Sequence, residues 1–117
     1  MIKYHTSKNS LIIAELIEKE TIINEVKDIL DLIADAGQND SNRVIVYEHN
    51  LNKDFFDLKT RLAGDILQKI SNYRFKLAIV GDFEKYKSKS LQDFIRECNR
   101  GRMIAFVSDL ESALKKL

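Results

Sequence analysis

The chain contains no proline, only four glycines and a single cysteine among its 117 residues. Without proline, nothing forces a kink into a helix or keeps a segment out of a central strand. Cys98 has no partner for an internal disulfide, which points to a reducing compartment. The glycines are too scattered for a phosphate-cradling loop: Gly81-Asp82-Phe83 holds one glycine, where dinucleotide and triphosphate fingerprints need several at fixed spacing. No apolar run approaches the ~18 residues of a membrane span. The first such run, Leu11 to Ala14, is cut by Glu15, unlike the basic-then-apolar pattern of a secretion signal. A soluble, cytoplasmic protein is expected.

An excess of charge is also missing, since the formal net charge is +1. The balance conceals an asymmetry: residues 1–57 carry six Lys/Arg against eleven Asp/Glu, and residues 74–102 carry eight against four. A basic second half would attract nucleic acid or an acidic partner, but Asp82, Glu84, Asp93 and Glu97 dilute its field and argue against nucleic acid. The two poles are equally suited to pairing with each other across a homodimer. With 44% hydrophobic residues, the chain has apolar material for one core and one domain, residues 1–117.

The apolar pattern alternates between strand and helix periods. Ile2-Lys-Tyr-His-Thr6 and Leu11-Ile-Ile-Ala14 read as a hairpin. Ile22, Ile23, Val26, Ile29, Leu30, Ile33 and Ala34 keep helical spacing, with Asn24 near the start and Gly37 just past the end. Val44-Ile-Val-Tyr47 is a β-branched strand. From Phe55 through Leu58, Leu62, Ala63, Ile66, Leu67, Ile70 and Tyr73 the helical period runs for about five turns, the longest helix expected. Leu77–Val80 and Ile104–Val107 are two more strands. Ser90 with Asp93, and Ser108 with Glu111, give capping-box starts to the helices that follow them.

The order β-β-α-β-α-β-α-β-α predicts a mostly parallel five-stranded α/β sheet covered by helices. The loops after its later strands share one edge, where open α/β sheets hold ligands. Candidate functional residues are sought there.

The string Asp54-Phe-Phe-Asp-Leu-Lys-Thr60, with Leu62-Ala-Gly64, Ile66-Leu-Gln-Lys69, Leu77-Ala-Ile-Val-Gly-Asp-Phe83, Ser88-Lys-Ser-Leu91 and Asp93-Phe-Ile95, resembles the bacterial domain-of-unknown-function family 4180 over the whole chain. That resemblance implies a small bacterial protein and supplies no catalytic residue to carry over. The order of elements is also similar to the STAS domain of anti-sigma-factor antagonists and sulfate transporter tails. In that family the third strand leads to an Asp-Ser-Ser-Gly turn whose serine is phosphorylated to switch partner binding. The matching place here, Asp57-Leu-Lys-Thr60, keeps the aspartate, lacks both serines and offers only Thr60.

Individual residues divide between packing and function. Phe55 lies on the apolar stripe with Leu58 and Leu62 and is assigned to the core, whereas Phe56 falls off the stripe and is the candidate exposed interface residue. Asp54 and Asp57 suit the first turn of a helix. With Glu48 and His49 they also make a candidate divalent-ion cluster, but without a recognised ligand spacing, so no metal or other cofactor is assigned. Gly64 reads as close helix packing and His5 as a plain strand residue. Cys98 reads as a small buried filler rather than a nucleophile. Lys85-Tyr-Lys-Ser-Lys-Ser90 precedes a helix N-terminus and suits an anion, unless Ser88 or Ser90 simply caps the helix.

The leading expectation is a non-enzymatic, STAS-like regulatory or interaction module. It would meet a protein partner, or a second copy, through Phe56, Asp57, Lys59, Thr60 and Arg61 together with Lys85, Tyr86 and Ser88. The competing expectation is a binder of, or enzyme acting on, an anionic phosphorylated metabolite. In that case Lys85, Lys89 and the Ser88–Ser90 helix start hold the anion, and His49, Asp57 and Asp82 converge with Lys85 in a pocket.

Overall fold

The computed structural model describes residues 1–117. Five strands form one sheet: β1 (Ile2–Thr6), β2 (Ile12–Leu16), β3 (Arg43–Tyr47), β4 (Lys76–Val80) and β5 (Ile104–Val107). They lie side by side in sequence order. β1 pairs antiparallel with β2 as the expected hairpin, and β2 through β5 are all parallel.

Four helices connect and follow them: α1 (Val26–Gln38), α2 (Leu62–Asn72), α3 (Lys89–Arg100) and α4 (Leu110–Lys116). Because each parallel crossover steps to the next strand in the same direction, crossovers of one hand lay α1, α2 and α3 on the same face. Strand alternation sorts the core accordingly. Ala14, Leu16, Val44, Val46, Leu77, Ile79, Ile104 and Phe106 face these helices in a core of 23 buried residues. Ile13, Ile45, Ala78 and Val80 face the other way, against Ala113 of the short α4. Three helices over five strands leave β1 at an uncovered margin.

Helix boundaries follow local hydrogen bonds more closely than apolar spacing. α1 begins at Val26 rather than Ile22, because the Asp28 carboxylate folds back to accept from the Asn24 and Glu25 amides at 2.9 and 3.1 Å and so satisfies free N–H groups at the helix start. Ile22 and Ile23 instead run alongside the segment after β3, where Ile23 N–H donates to the Asn50 carbonyl at 2.9 Å and Asn52 N–H to the Ile23 carbonyl at 2.8 Å. Gly37 falls inside the last turn of α1. Ser88, not Ser90, caps α3, accepting from Leu91 N–H at 3.2 Å. Asp109, not Ser108, caps α4, accepting from Ser112 N–H at 2.7 Å.

The larger correction concerns residues 53–61, which do not belong to one long helix. Two 3-10 turns, Lys53–Phe56 and Leu58–Thr60, precede α2, which has 11 residues against 13 in α1. Asp57 is extended, and its carboxylate accepts from Lys59 N–H at 3.2 Å, an Asx turn that competes with continued helix. Arg61 then sits at φ 68, ψ 2, in the left-handed region. That single residue resets the chain direction into α2.

Candidate functional site

The edge where the parallel strands end is organised around Glu48, the first residue after β3. Its carboxylate accepts from Lys85 Nζ at 2.7 Å, from the Tyr86 hydroxyl and from Asp82 N–H at 3.2 Å. Three groups of the β4–α3 loop are thereby tied to one side chain of the β3 exit. Burial pushes the Glu48 carboxyl up, but the hydrogen bonds from Lys85, Tyr86 and Asp82 outweigh it and the pKa falls below the usual value of 4.5. Burial, reinforced by the Glu48 carboxylate, pushes the Tyr86 phenol well above its ordinary range.

Glycine at position 81 is what permits this closure. A Cβ there would lie 2.6 Å from Glu48 Cβ and 2.7 Å from Glu48 Oε1. The turn after β4 therefore needs a residue without a side chain, for close approach rather than for phosphate.

Under this polar knot lies an aromatic one. Phe56 stacks on Tyr86 with centroids 4.9 Å apart and planes 13° from parallel, and it also meets Phe83 at 6.1 Å. Phe55 packs edge-on against Phe56 at 5.0 Å and reaches Phe106 of β5 at 6.3 Å. Phe55 is core, as its stripe position predicts. Phe56 is not the exposed lip expected of it: it is 9% accessible and part of the main core. The β4–α3 loop folds back over it, a long-range event that a helical projection of residues 55–66 does not contain.

The other predicted site residues separate into anchored and free. The Thr60 hydroxyl lies within hydrogen-bond reach of the Asp54 and Asp57 carbonyls, at 2.6 and 2.8 Å, and accepts from Leu62 N–H at 3.3 Å. It is a local turn fastener. Asp54 N–H is itself held by the Asn52 side chain at 2.9 Å, as a 3-10 cap. Lys89 pairs with Asp93 at 3.3 Å on the exposed start of α3, and Ser90 is exposed on the same turn. Lys53, Lys59, Arg61 and Lys87 are exposed and make no ion pair.

A cleft of about 500 Å³ opens beside the knot, lined by Thr21, His49, Lys53, Phe56, Lys85 and Tyr86 among others. His49 and Lys85 reach it, but Asp57 and Asp82 do not line it. The His49 ring turns toward the exit of β2, with Nε2 2.9 Å from the Glu18 carbonyl. Glu48, His49, Asp54 and Asp57 thus fail to converge, and no group of three or more His, Cys, Asp or Glu side chains is placed to hold a metal.

Two further polar devices escape a reading of the sequence. Asn50 is fully buried, donating to the Glu18 and Glu20 carbonyls at 2.9 and 3.0 Å and accepting from Tyr47 N–H at 3.0 Å, so that it ties the β2 and β3 exits together. On the sheet face away from α1–α3, buried Glu15 is bracketed by His5 Nε2 and the Tyr47 hydroxyl, each at 2.7 Å. Burial and that carboxylate push the Tyr47 phenol up to about 12. His5 is therefore a member of a partly buried polar trio centred on Glu15 rather than a plain strand residue. The acid that interrupts the apolar run Leu11–Ala14 is the only signal of it in the sequence. Cys98 is half-buried against the core, and burial, then Glu97, push its thiol up to about 11, far from a reactive thiolate.

Architecture and edge together describe a single α/β domain with a mixed, mostly parallel sheet. The chain belongs to the family described as Domain of unknown function (DUF4180), whose model matches residues 8–117. Neither the curated proteins nor the solved structures include a match to it. No helix is long and apolar enough to cross a membrane.

Proposed function

We propose that this protein is a non-enzymatic, STAS-like regulatory or interaction module, acting in the cytoplasm, whose partner surface is the carboxyl edge of β3 and β4. One observation carries the reading. The groups with chemical potential at that edge are spent on one another: Glu48 holds Lys85, Tyr86 and the Asp82 amide, Thr60 fastens its own turn, and Ser88 caps α3. What is left outward is a mixed rim, the unpaired cations Lys53, Lys59, Arg61 and Lys87 interleaved with the exposed acids Asp54, Asp57, Asp82 and Glu84, suited to a partner surface of complementary charge pattern. Arg61 adds a second support: of the four non-glycine residues at positive φ, Ser10, Asp40, Arg61 and Arg74, it is the one at this edge, where holding a bulky side chain so costs about 1–2 kcal/mol.

The alternative, a site for an anionic metabolite, draws on the open cleft beside His49 and Lys85. It requires Lys85 to leave Glu48 before it can meet an anion.

Affinity capture with the wild-type chain and with a Lys59→Glu, Arg61→Asn variant separates the two. Asn tolerates the left-handed backbone, so the circular dichroism of the variant should match wild type. The module reading expects a partner captured by wild type and lost by the variant. A thermal shift of the wild-type chain by phosphorylated metabolites, with no such partner, supports the alternative instead.

A further inference from the structure

The two margins of the sheet are finished differently. At β5, Phe106 turns its backbone outward, and the Asn99 side chain closes both groups: Oδ1 accepts from Phe106 N–H at 2.7 Å and Nδ2 donates to the Phe106 carbonyl at 3.3 Å. At β1 there is no such plug. The hairpin bonds Ile17 N–H to the Met1 carbonyl and Ser7 N–H to the Leu11 carbonyl, each 2.8 Å, fix the odd-numbered residues as the inward-bonded set. By antiparallel alternation, the N–H and C=O groups of Ile2, Tyr4 and Thr6 point away from the sheet as a ready template for another strand.

The surroundings of this edge are both apolar and acidic. Four of the six large apolar side chains left exposed on the protein, Met1, Tyr4, Ile17 and Ile22, belong to this margin. A cleft of about 230 Å³ lies between β1 and α1, floored by Ile2, Leu16, Ile23 and Leu32. Asp28, Asp31 and Asp35 of α1 stand along it. Asp28 is engaged, accepting from the Asn24 and Glu25 amides at 2.9 and 3.1 Å. Asp31 and Asp35, one turn apart on the same helix face, are exposed and have no ion-pair partner.

We propose that β1 is a docking edge for an extended, lysine- or arginine-bearing segment of a partner protein, which adds as a sixth strand, places an apolar side chain in the β1–α1 cleft and sets its cations against Asp31 and Asp35. Main-chain pairing supplies affinity in this mode, and the pocket and charges supply selection. A second copy of the same chain fits poorly. Joining two β1 strands about a two-fold axis sets the Asp31–Asp35 flanks of both copies along one trough, where like charges repel. This surface stands apart from the carboxyl edge and does not depend on the reading given for it.

The test uses the full chain and a short synthetic peptide in which valine and lysine take turns at every second position, with threonine between them so that both kinds of side chain face α1, against the same peptide with glutamate in place of lysine. Hydrogen exchange should show new protection of the Ile2, Tyr4 and Thr6 amides with the lysine peptide only. Asp31→Asn with Asp35→Asn should weaken its binding about threefold to tenfold, the loss of two exposed ion pairs, and raised salt should act the same way on wild type. Tyr4→Pro, which removes one outward N–H, should abolish binding; if that variant does not fold, the exchange footprint on wild type decides. Equal binding of both peptides, peptide-bound protein without protection at those three amides, or protection already present in a peptide-free dimer would each overturn the proposal.

Discussion

Gly81 and Glu48 approach so closely that a β-carbon on the glycine would lie 2.6 Å from the glutamate's own. The contact joins the exits of two neighbouring parallel strands, and it lets Glu48 reach the Asp82 amide, Lys85 and Tyr86 of the β4–α3 loop. Gly81→Ala should destabilise the fold by about 1–3 kcal/mol, the usual range for overpacking, read from the denaturant midpoint. Adding Glu48→Ala should not rescue it, because alanine keeps the offending β-carbon. Full rescue would mean that the rest of the Glu48 side chain, not this close approach, sets the cost.

Phe56 was legible as a candidate lip and is instead a buried stacking partner of Tyr86. Phe56→Ala should cost about 3–5 kcal/mol, as for other buried phenylalanines, and loosen the β4–α3 loop enough to raise hydrogen exchange near Tyr86. A change below about 1 kcal/mol would place the ring in solvent, since exposed substitutions rarely exceed half that.

Arg61 should be replaceable with profit to stability. Arg61→Gly relieves the left-handed strain of about 1–2 kcal/mol and returns part of it as unfolded-chain entropy, so a gain of up to about 1 kcal/mol is expected. The same variant should weaken partner capture, the trade expected when a strained residue is retained for function. A loss of stability would show that the Arg61 side chain makes a stabilising interaction.

Two titrations bracket the fold. Because the Glu48 carboxyl is lowered in the folded state, its contribution is present above the ordinary pKa of 4.5 and fades as pH falls through the lowered value. Glu48→Gln should therefore cost stability at neutral pH, by about 1 kcal/mol with Lys85 half-exposed, and flatten the acid branch of the stability curve. Tyr47 behaves in the opposite sense. Its folded pKa is raised from 10.0 to about 12, so its contribution is complete below pH 10 and lost as pH climbs toward 12. Tyr47→Phe should remove that alkaline loss and leave the Glu15 carboxylate with His5 alone. An unchanged alkaline branch would count against the Tyr47–Glu15 bond.

The strands, their order and the helices were readable because burial writes itself into spacing: Val44-Ile-Val, Leu77-Ala-Ile-Val and Ile104-Ala-Phe-Val are short apolar runs between helical periods. The break at residues 57–61 was not. Phe55, Leu58 and Leu62 keep three- and four-residue spacing, which 3-10 turns reproduce nearly as well as α-helix, and only the Asp57 turn and the Arg61 backbone reveal the difference. Glu48 was visible as an acid at a strand end, but its role depends on Lys85 and Tyr86, nearly forty residues away. Asn50 was invisible for the same reason, and the His5–Glu15–Tyr47 trio showed only as Glu15 interrupting an apolar run. A buried polar residue declares itself in sequence only as an interruption, and its partners are chosen by the fold.

The most direct test of the central claim is cross-linking mass spectrometry on the wild-type protein in its native cells. The account predicts cross-links from Lys53, Lys59 and Lys87, the free lysines of the carboxyl edge, to a second polypeptide, and their disappearance in the Lys59→Glu, Arg61→Asn variant. Those lysines linking only within their own chain, while an anionic metabolite protects the protein against heat, would contradict it.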